Sequence, residues 1–308
     1  MTSLDSPELV PLTEADLSAW VDRARRRLVD QPVHAGWRET DARARADRTL
    51  GRAVSDGRWS PDQHVWRVRQ GGADVGDVWL MLTAGADAHV VVVDAPAQVA
   101  GATFDAVAGA ARDLGVQRLL VGCFPGDRVT AAFLAGQASA LMATQMELAL
   151  DAPAPEDRVR LEAMTPERYA RFLNTEIEHY AQEMLESGSH QDLETARADS
   201  RRQHAQLLPD GLETRRHFLW SAFDGDREVG ILWINLDGDR AFIYDIEVDE
   251  SCRRQGYGGA ILRAGAHESA ARGARVLGLN VFGPNAGARA LYEKSGFAAI
   301  ERIVIVQV

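Results

Sequence analysis

The feature that most constrains the fold is an internal repeat, because the second half of the chain follows the same pattern as the first. Residues Val99 to Leu150 align with Tyr257 to Val308 without a gap, and both stretches predict helix, strand, helix and strand in that order. An acidic Pro/Ala stretch at 151–157 separates the halves and is typical of a linker. The sequence therefore predicts two tandem α/β domains, at residues 1–150 and 158–308; the alternative is two unrelated α/β halves.

The earlier parts of the two halves correspond as well. VGDVWLML at Val75–Leu82 and VGILWINL at Val229–Leu236 each follow a Gly/Asp turn, which predicts one arm of a β-hairpin in each half. Thr13 and Thr165 each precede an apolar-periodic segment, which predicts a capped helix near the start of each half.

Composition and charge exclude several classes of partner. The chain has 34 basic and 45 acidic residues, and its net charge of −11 repels nucleic acid and anionic lipid. Only Cys123 and Cys252 are present, and no apolar run approaches the roughly 20 residues of a membrane span. The start of the chain lacks the pattern of a signal peptide. We therefore expect a cytoplasmic protein with no metal site and no nucleic-acid or membrane partner. Four histidines of the second half show no ligand spacing: His179, His190, His204 and His217.

A glycine-rich turn follows the predicted strand Ala241 to Val248 and precedes a helix that ends near Arg272. Such a turn presents backbone N–H groups and a helix N-terminus to an anion, and neighbouring arginines add positive charge. The turn therefore predicts a phosphate-bearing cofactor. The dinucleotide fingerprint is excluded because Ile261 stands where its third glycine is required, and the P-loop is excluded because a Gly-Lys-Ser/Thr is missing.

Two motifs in this half, taken together, resemble the GCN5-related N-acetyltransferase (GNAT) family. They are Arg253-x-x-Gly256-x-Gly258 and Asn285-x-x-Ala288-x-x-Leu291-Tyr292-x-x-x-Gly296-Phe297. The resemblance covers about residues 158 to 308. It implies a mixed, mostly antiparallel twisted sheet flanked by helices in each domain. It also implies direct transfer of an acetyl group from acetyl-CoA to an amine of a small molecule or peptide.

The resemblance also implies roles for individual residues. Tyr292 would donate a proton to the departing thiolate, and a backbone N–H near Val248 would stabilise the oxyanion. The residues expected to contact acetyl-CoA are Ile246, Val248, Arg253, Arg254, Gln255, Gly256, Tyr257, Gly258, Gly259, Asn285, Ala288 and Tyr292.

The acceptor amine must lose a proton before it attacks, which requires a base. Strand alternation predicts Asp245 and Glu247 on one face, where burial would raise the pKa of one of them; otherwise they are surface carboxylates. We predict Glu247 as the base, with Asp245 as the alternative. The opposite face is predicted to carry Phe242, Tyr244, Ile246 and Val248.

A helix before the strands is rich in carboxylates and is a candidate wall for a cationic acceptor; the alternative is a solvated helix face. The residues concerned are Glu176, Glu178, His179, Tyr180 and Glu183.

The first half lacks the features expected of a cofactor site. Asp94 and Pro96 replace the arginine- and glycine-rich turn, Asp127 aligns with Asn285, and Leu134 aligns with Tyr292. We therefore predict a degenerate domain that does not bind coenzyme A. For the whole chain, a non-catalytic acyl-CoA-binding or sensing protein is the alternative function. The acyl group, the acceptor and the choice between monomer and homodimer remain open.

Overall fold

The computed structural model describes residues 6–55, 57–83, 85–151 and 158–308 and forms two compact units. Unit 1 comprises Met1–Leu141 and Ile300–Val308, and unit 2 comprises Met142–Ala299. Most of the predicted linker, residues 152–157, lies outside the described residues.

The helices and strands are numbered in the order in which they occur along the chain. They are β1 (Glu8–Pro11), α1 (Leu17–His34), α2 (Glu39–Ala53), β2 (Val54–Ser55), β3 (Arg58–Trp59), β4 (Gln63–Gln70), β5 (Ala73–Leu82), β6 (Asp87–Asp94), α3 (Ala97–Asp113), β7 (Arg118–Cys123), α4 (Arg128–Phe133), β8 (Ser139–Ala149), β9 (Arg160–Ala163), α5 (Pro166–Glu186), α6 (Leu193–Leu207), β10 (His217–Asp224), β11 (Arg227–Asp237), β12 (Arg240–Val248), α7 (Tyr257–Ala271), β13 (Val276–Phe282), α8 (Ala286–Lys294) and β14 (Ala298–Gln307).

Both units have the same sheet topology, which confirms the predicted fold class and its duplication. The strand order is β1-β4-β5-β6-β7-β14 in unit 1 and β9-β10-β11-β12-β13-β8 in unit 2. In each sheet every neighbouring pair is antiparallel except one, β6 with β7 in unit 1 and β12 with β13 in unit 2.

The compact units differ from the predicted division at residues 150 and 158 in their last strands. Strand β8, which ends the first half of the sequence, pairs with β13 and belongs mostly to unit 2. Strand β14, which ends the second half, pairs with β7 and belongs mostly to unit 1. Each sheet is therefore completed by a strand from the other half of the sequence.

The core of unit 2 lies between its sheet and helix α7. Ile261 and Leu262 are buried against sheet residues such as Leu232 and Leu277. Gly265 permits this close packing, because a Cβ atom there would lie 2.5 Å from Leu232 Cδ2. Helix α7 thus packs closely on β11, the neighbour of the strand that carries the predicted site. Its N-terminus lies near the end of β12, since a Cβ on Gly258 would lie 3.7 Å from Val248 Cγ2.

Candidate active site

A cavity of about 270 Å³ opens in unit 2 where β12 and β13 cease to pair. The parallel ladder between these strands runs only from Arg240–Val276 to Ile243–Leu279. Beyond it, the second half of β12 lines the cavity together with α5, the end of β13 and the start of α8. The strand predicted at Ala241 to Val248 therefore lies at the cavity. Its second half lines the cavity because β12 and β13 no longer pair there.

A β-bulge in β12 makes the predicted alternation of faces wrong. Trp233 pairs with Asp245 and Ile234 pairs with Ile243, so Tyr244 is an extra residue without a partner on β11. Phe242 and Tyr244 consequently line the cavity alongside Asp245 and Glu247, while Ile243 and Val248 pack into the core. Ile246 packs against the core and also contributes to the cavity wall. Unit 1 has the equivalent register shift at Trp79, between β5 and β6.

Four carboxylates surround the cavity, two from α5 and two from β12. Burial, followed by repulsion from Asp245 and Glu183, raises the pKa of Glu176. Burial, followed by repulsion from Glu247 and Glu183, raises the pKa of Asp245, and burial raises that of Glu183. In the part of the chain that is described, Asp245 Oδ2 is buried and has no hydrogen-bond partner.

Four of the five residues predicted for the helix wall line the cavity. Glu176, His179, Tyr180 and Glu183 line the cavity, because they recur along one face of α5. Glu178 lies outside the cavity: it is exposed and pairs with Arg197 of α6 at 2.6 Å. For Glu178 the alternative of a solvated face was therefore the correct one.

Aromatic side chains form much of the remaining wall. Tyr244 stacks on Trp233 with ring centroids 4.8 Å apart and contacts the edge of Phe242 at 5.2 Å. Tyr180 and Phe282 contact each other at 5.8 Å on the α5 side. Trp233 and Phe282 were not predicted as site residues, since an apolar strand position gives no sign that it faces a cavity.

Tyr292 lies on α8 with its side chain buried at the cavity wall. Burial, with smaller contributions from Asp245 and Glu183, raises the pKa of its phenol, so the group stays protonated and able to donate near neutral pH. Asn285 caps α8 by accepting a hydrogen bond from Ala288 N at 3.0 Å, and its Nδ2 donates to Glu183 Oε1 at 3.4 Å. The second motif thus places Asn285, Ala288 and Tyr292 at one cavity wall.

The glycine-rich turn has the geometry of an anion-binding loop. Arg254 and Gly256 have φ of 61° and 86°, values for which glycine is favoured. Across the described residues, the backbone N–H groups from Arg254 to Gly259 donate to no protein acceptor. A Cβ on Gly258 would lie 2.8 Å from Leu291 Cδ2, so glycine allows close packing against the Leu291 side chain of α8. A row of unpaired amides at a helix N-terminus fits a diphosphate.

Several side chains of this turn make hydrogen bonds within the protein. Arg253 Nε donates to Val248 O at 3.2 Å, and Gln255 Nε2 donates to Ser251 O at 3.1 Å. Tyr257 is buried and donates to Asp224 Oδ2 at 2.8 Å, so its predicted contact with the cofactor is limited to its backbone. The Arg158 guanidinium lies 3.9 Å from the Tyr257 ring centroid.

A second cavity, of about 540 Å³, lies between α7 and α8 beside the turn. Gly256 and Gly259 form part of its lining, together with three cationic residues that the motifs did not indicate: Arg158, Arg263 and Lys294. These residues are distant in sequence and belong to no shared motif. Only the folded chain brings them to one place.

The corresponding region of unit 1 contains a smaller cavity, of about 190 Å³, and an ion pair at the start of α4. Arg27 Nη2 lies 3.1 Å from Asp127 Oδ1, and Gln31 donates to the same carboxylate. Asp127 also caps α4 by accepting from Thr130 N at 3.3 Å. Only residues 95 and 96 separate β6 from α3, and this join contains no glycine.

Comparisons with known proteins identify the family. The model of the "Acetyltransferase (GNAT) family" matches residues 174–297. The uncharacterized N-acetyltransferase YycN of Bacillus subtilis (strain 168) is 37% identical over 144 residues, which are 45% of this chain and 92% of that protein. A mycothiol acetyltransferase of Corynebacterium efficiens is 38% identical over 96 residues, 31% of each chain.

A solved structure extends the likeness in fold to nearly the whole chain. The GCN5-related N-acetyltransferase from Sphaerobacter thermophilus has a TM-score of 0.60 at 15% identity, and the match covers 99% of this chain and 96% of that one. The chain belongs to the acetyltransferase (GNAT) family and is an N-acetyltransferase of that family. In the described ranges, no helix is both long and apolar enough to cross a lipid bilayer.

Proposed function

We propose that unit 2 transfers an acetyl group from acetyl-CoA directly to an amine of a small molecule or peptide. The observation that carries the proposal is the joint position of two features at the end of β12. One is the row of unpaired amides from Arg254 to Gly259, and the other is the cavity that contains Asp245 and Tyr292.

The turn would hold the cofactor's diphosphate through its backbone amides. The N–H groups and the helix dipole of α7 favour a negative charge there. Arg253 and Arg254 add cationic charge, and Asn285 and Ala288 line the path to the cavity. The cationic cavity beside the turn, with Arg263 and Lys294, would accommodate the phosphorylated nucleoside end.

Acetyl-CoA supplies a thioester, so that a C–N bond to the amine forms as the C–S bond breaks. The ammonium nitrogen loses two protons, one to the base before the attack and one to solvent afterwards, and the sulfur gains one proton. We assign the proton that reaches the sulfur to the Tyr292 phenol, which is buried at the cavity wall. After the transfer, the phenolate regains a proton from solvent. Tyr292 is therefore the proposed general acid.

The proposed base is Asp245 rather than the sequence choice, Glu247. Both carboxylates line the cavity, but Asp245 has a buried oxygen with no hydrogen-bond partner among the described residues. Its raised pKa also makes it a better proton acceptor near neutral pH than an ordinary aspartate. Glu247 remains the alternative base.

Unit 1 is proposed not to bind coenzyme A. The join between β6 and α3 is too short for a glycine-rich turn, and Pro96 has no N–H to donate. Asp127 would repel an anionic cofactor where Asn285 stands in unit 2, and it is already held by Arg27.

Tyr292→Phe tests the proposed reaction. The variant removes the proposed acid and keeps the ring that packs on Phe297. We therefore expect kcat to fall roughly 10²-fold while the Kd for acetyl-CoA stays within about threefold. Thiol release measures the rate and calorimetry the affinity. An unchanged kcat would exclude Tyr292 as the acid, and tight cofactor binding without turnover of any amine would favour the acyl-CoA-sensing alternative.

A further inference from the structure

The cavity is lined by more carboxyl groups than acetyl transfer requires. The reaction needs one base, whereas Glu176, Glu183, Asp245 and Glu247 all line the cavity. The lining, as far as the chain is described, includes no arginine or lysine. Burial of these carboxylates is costly unless a cation accompanies them.

Two of the four carboxylates lie on α5, apart from the proposed base. Glu176 has no hydrogen bond or ion pair within the described ranges, and Glu183 accepts only a long hydrogen bond from Asn285. The neighbouring Glu178, in contrast, is neutralised by Arg197 and Arg201 at 2.6 and 3.4 Å. Glu178 thus has cationic partners, whereas the two cavity-facing carboxylates of the same helix have none among the described residues.

The third observation is the buried Asp245 Oδ2, which lines the same cavity without a partner. Nowhere in the described chain are three or more His, Cys, Asp and Glu side chains grouped to hold a metal ion. The exposed ring of Tyr244, which also lines the cavity, adds a surface that attracts organic cations. The ligand that satisfies both the carboxylates and this ring is an alkylammonium.

We propose that the acceptor is a compact aliphatic amine with at least two ammonium groups, a proposal that rests on the function above. One amine loses its proton to Asp245 and is acetylated, while the second ammonium is held by Glu176 and Glu183. An acceptor with a carboxylate close to its amine is excluded by repulsion from the same residues. The volume of about 270 Å³ sets the size of the part that enters the cavity.

Three acceptors of equal chain length test this inference: 1,4-diaminobutane, butylamine and 4-aminobutyrate. With acetyl-CoA and the full chain, we expect kcat/KM for the diamine to exceed that for butylamine roughly 10- to 100-fold, and 4-aminobutyrate to be the poorest. Calorimetric titration of the same compounds in the presence of coenzyme A should show the same order of affinity.

Matched glutamine variants distinguish the effect of the cavity carboxylates from the effect of losing any negative charge on α5. Glu176→Gln and Glu183→Gln should lower the ratio of diamine to butylamine kcat/KM about tenfold each, whereas Glu178→Gln on the same helix should leave it unchanged. Equal turnover of the three compounds, an equal effect of Glu178→Gln, or no calorimetric binding of the diamine overturns the inference alone. Absence of acetyl-CoA binding, or of acetyl transfer to every amine, overturns the proposed function instead.

Discussion

Replacing Asp245 by asparagine is expected to lower kcat roughly 10³-fold and to leave the Kd for acetyl-CoA within about threefold. Asparagine has nearly the same shape but cannot accept a proton from the ammonium. The carboxylate lies among the cavity walls and not in the turn, so cofactor affinity is spared. Removing one of several repelling carboxylates should also keep the variant folded.

The dependence of kcat/KM on pH is a second test of Asp245 as the base. Burial raises the pKa of Asp245 above its ordinary value, so the carboxyl is protonated and inactive at low pH and gains activity as pH rises through that pKa. In the parent, kcat/KM should therefore rise with pH on a limb that Asp245→Asn lacks. If Glu247→Gln instead loses far more activity than Asp245→Asn and removes the limb, Glu247 is the base.

A negative charge introduced at Gly256 is expected to weaken the binding of acetyl-CoA strongly. Gly256 precedes α7 with φ of 86°, a conformation that asparagine and aspartate tolerate better than other side chains. Gly256→Asp places a carboxylate at the proposed diphosphate site. We expect its Kd for acetyl-CoA to rise at least roughly 10²-fold through like-charge repulsion.

Gly256→Asn is the matched control because it has the same size and backbone demands without the charge. Its Kd should rise no more than about tenfold, and both variants should melt cooperatively at similar temperatures. Equal weakening by the two variants would indicate a steric effect. Undiminished binding by Gly256→Asp would mean that the diphosphate lies elsewhere.

The sequence predicted those parts of the site that depend on local chemistry. The turn from Arg253 to Gly259 was evident because glycine and arginine at fixed spacing have a physical use that few other folds share. Helix α5 was singled out because its sequence is rich in carboxylates. The tandem α/β fold, with a mixed and mostly antiparallel sheet, could be predicted because the repeat and the family resemblance agreed.

The features that could not be predicted depend on pairing between distant segments. The bulge at Tyr244 places Phe242 on the same face as Asp245 and Glu247 instead of the opposite one. The local alternation of residues does not indicate that one strand contains an extra residue. The sequence also gives no sign that β8 pairs with β13 and β14 with β7. The two strands occupy equivalent positions in the repeat, so each could complete the strand order of either unit. Glu178 was misplaced because a helix face is defined only to within one residue.

Calorimetric titration of acetyl-CoA into the full chain tests the central claim most directly, since that claim gives the chain a single diphosphate-binding turn, in unit 2. We expect saturable binding of one molecule per chain. Binding of two molecules per chain would contradict the proposal that unit 1 does not bind coenzyme A. The absence of saturable binding would contradict the proposed site in unit 2.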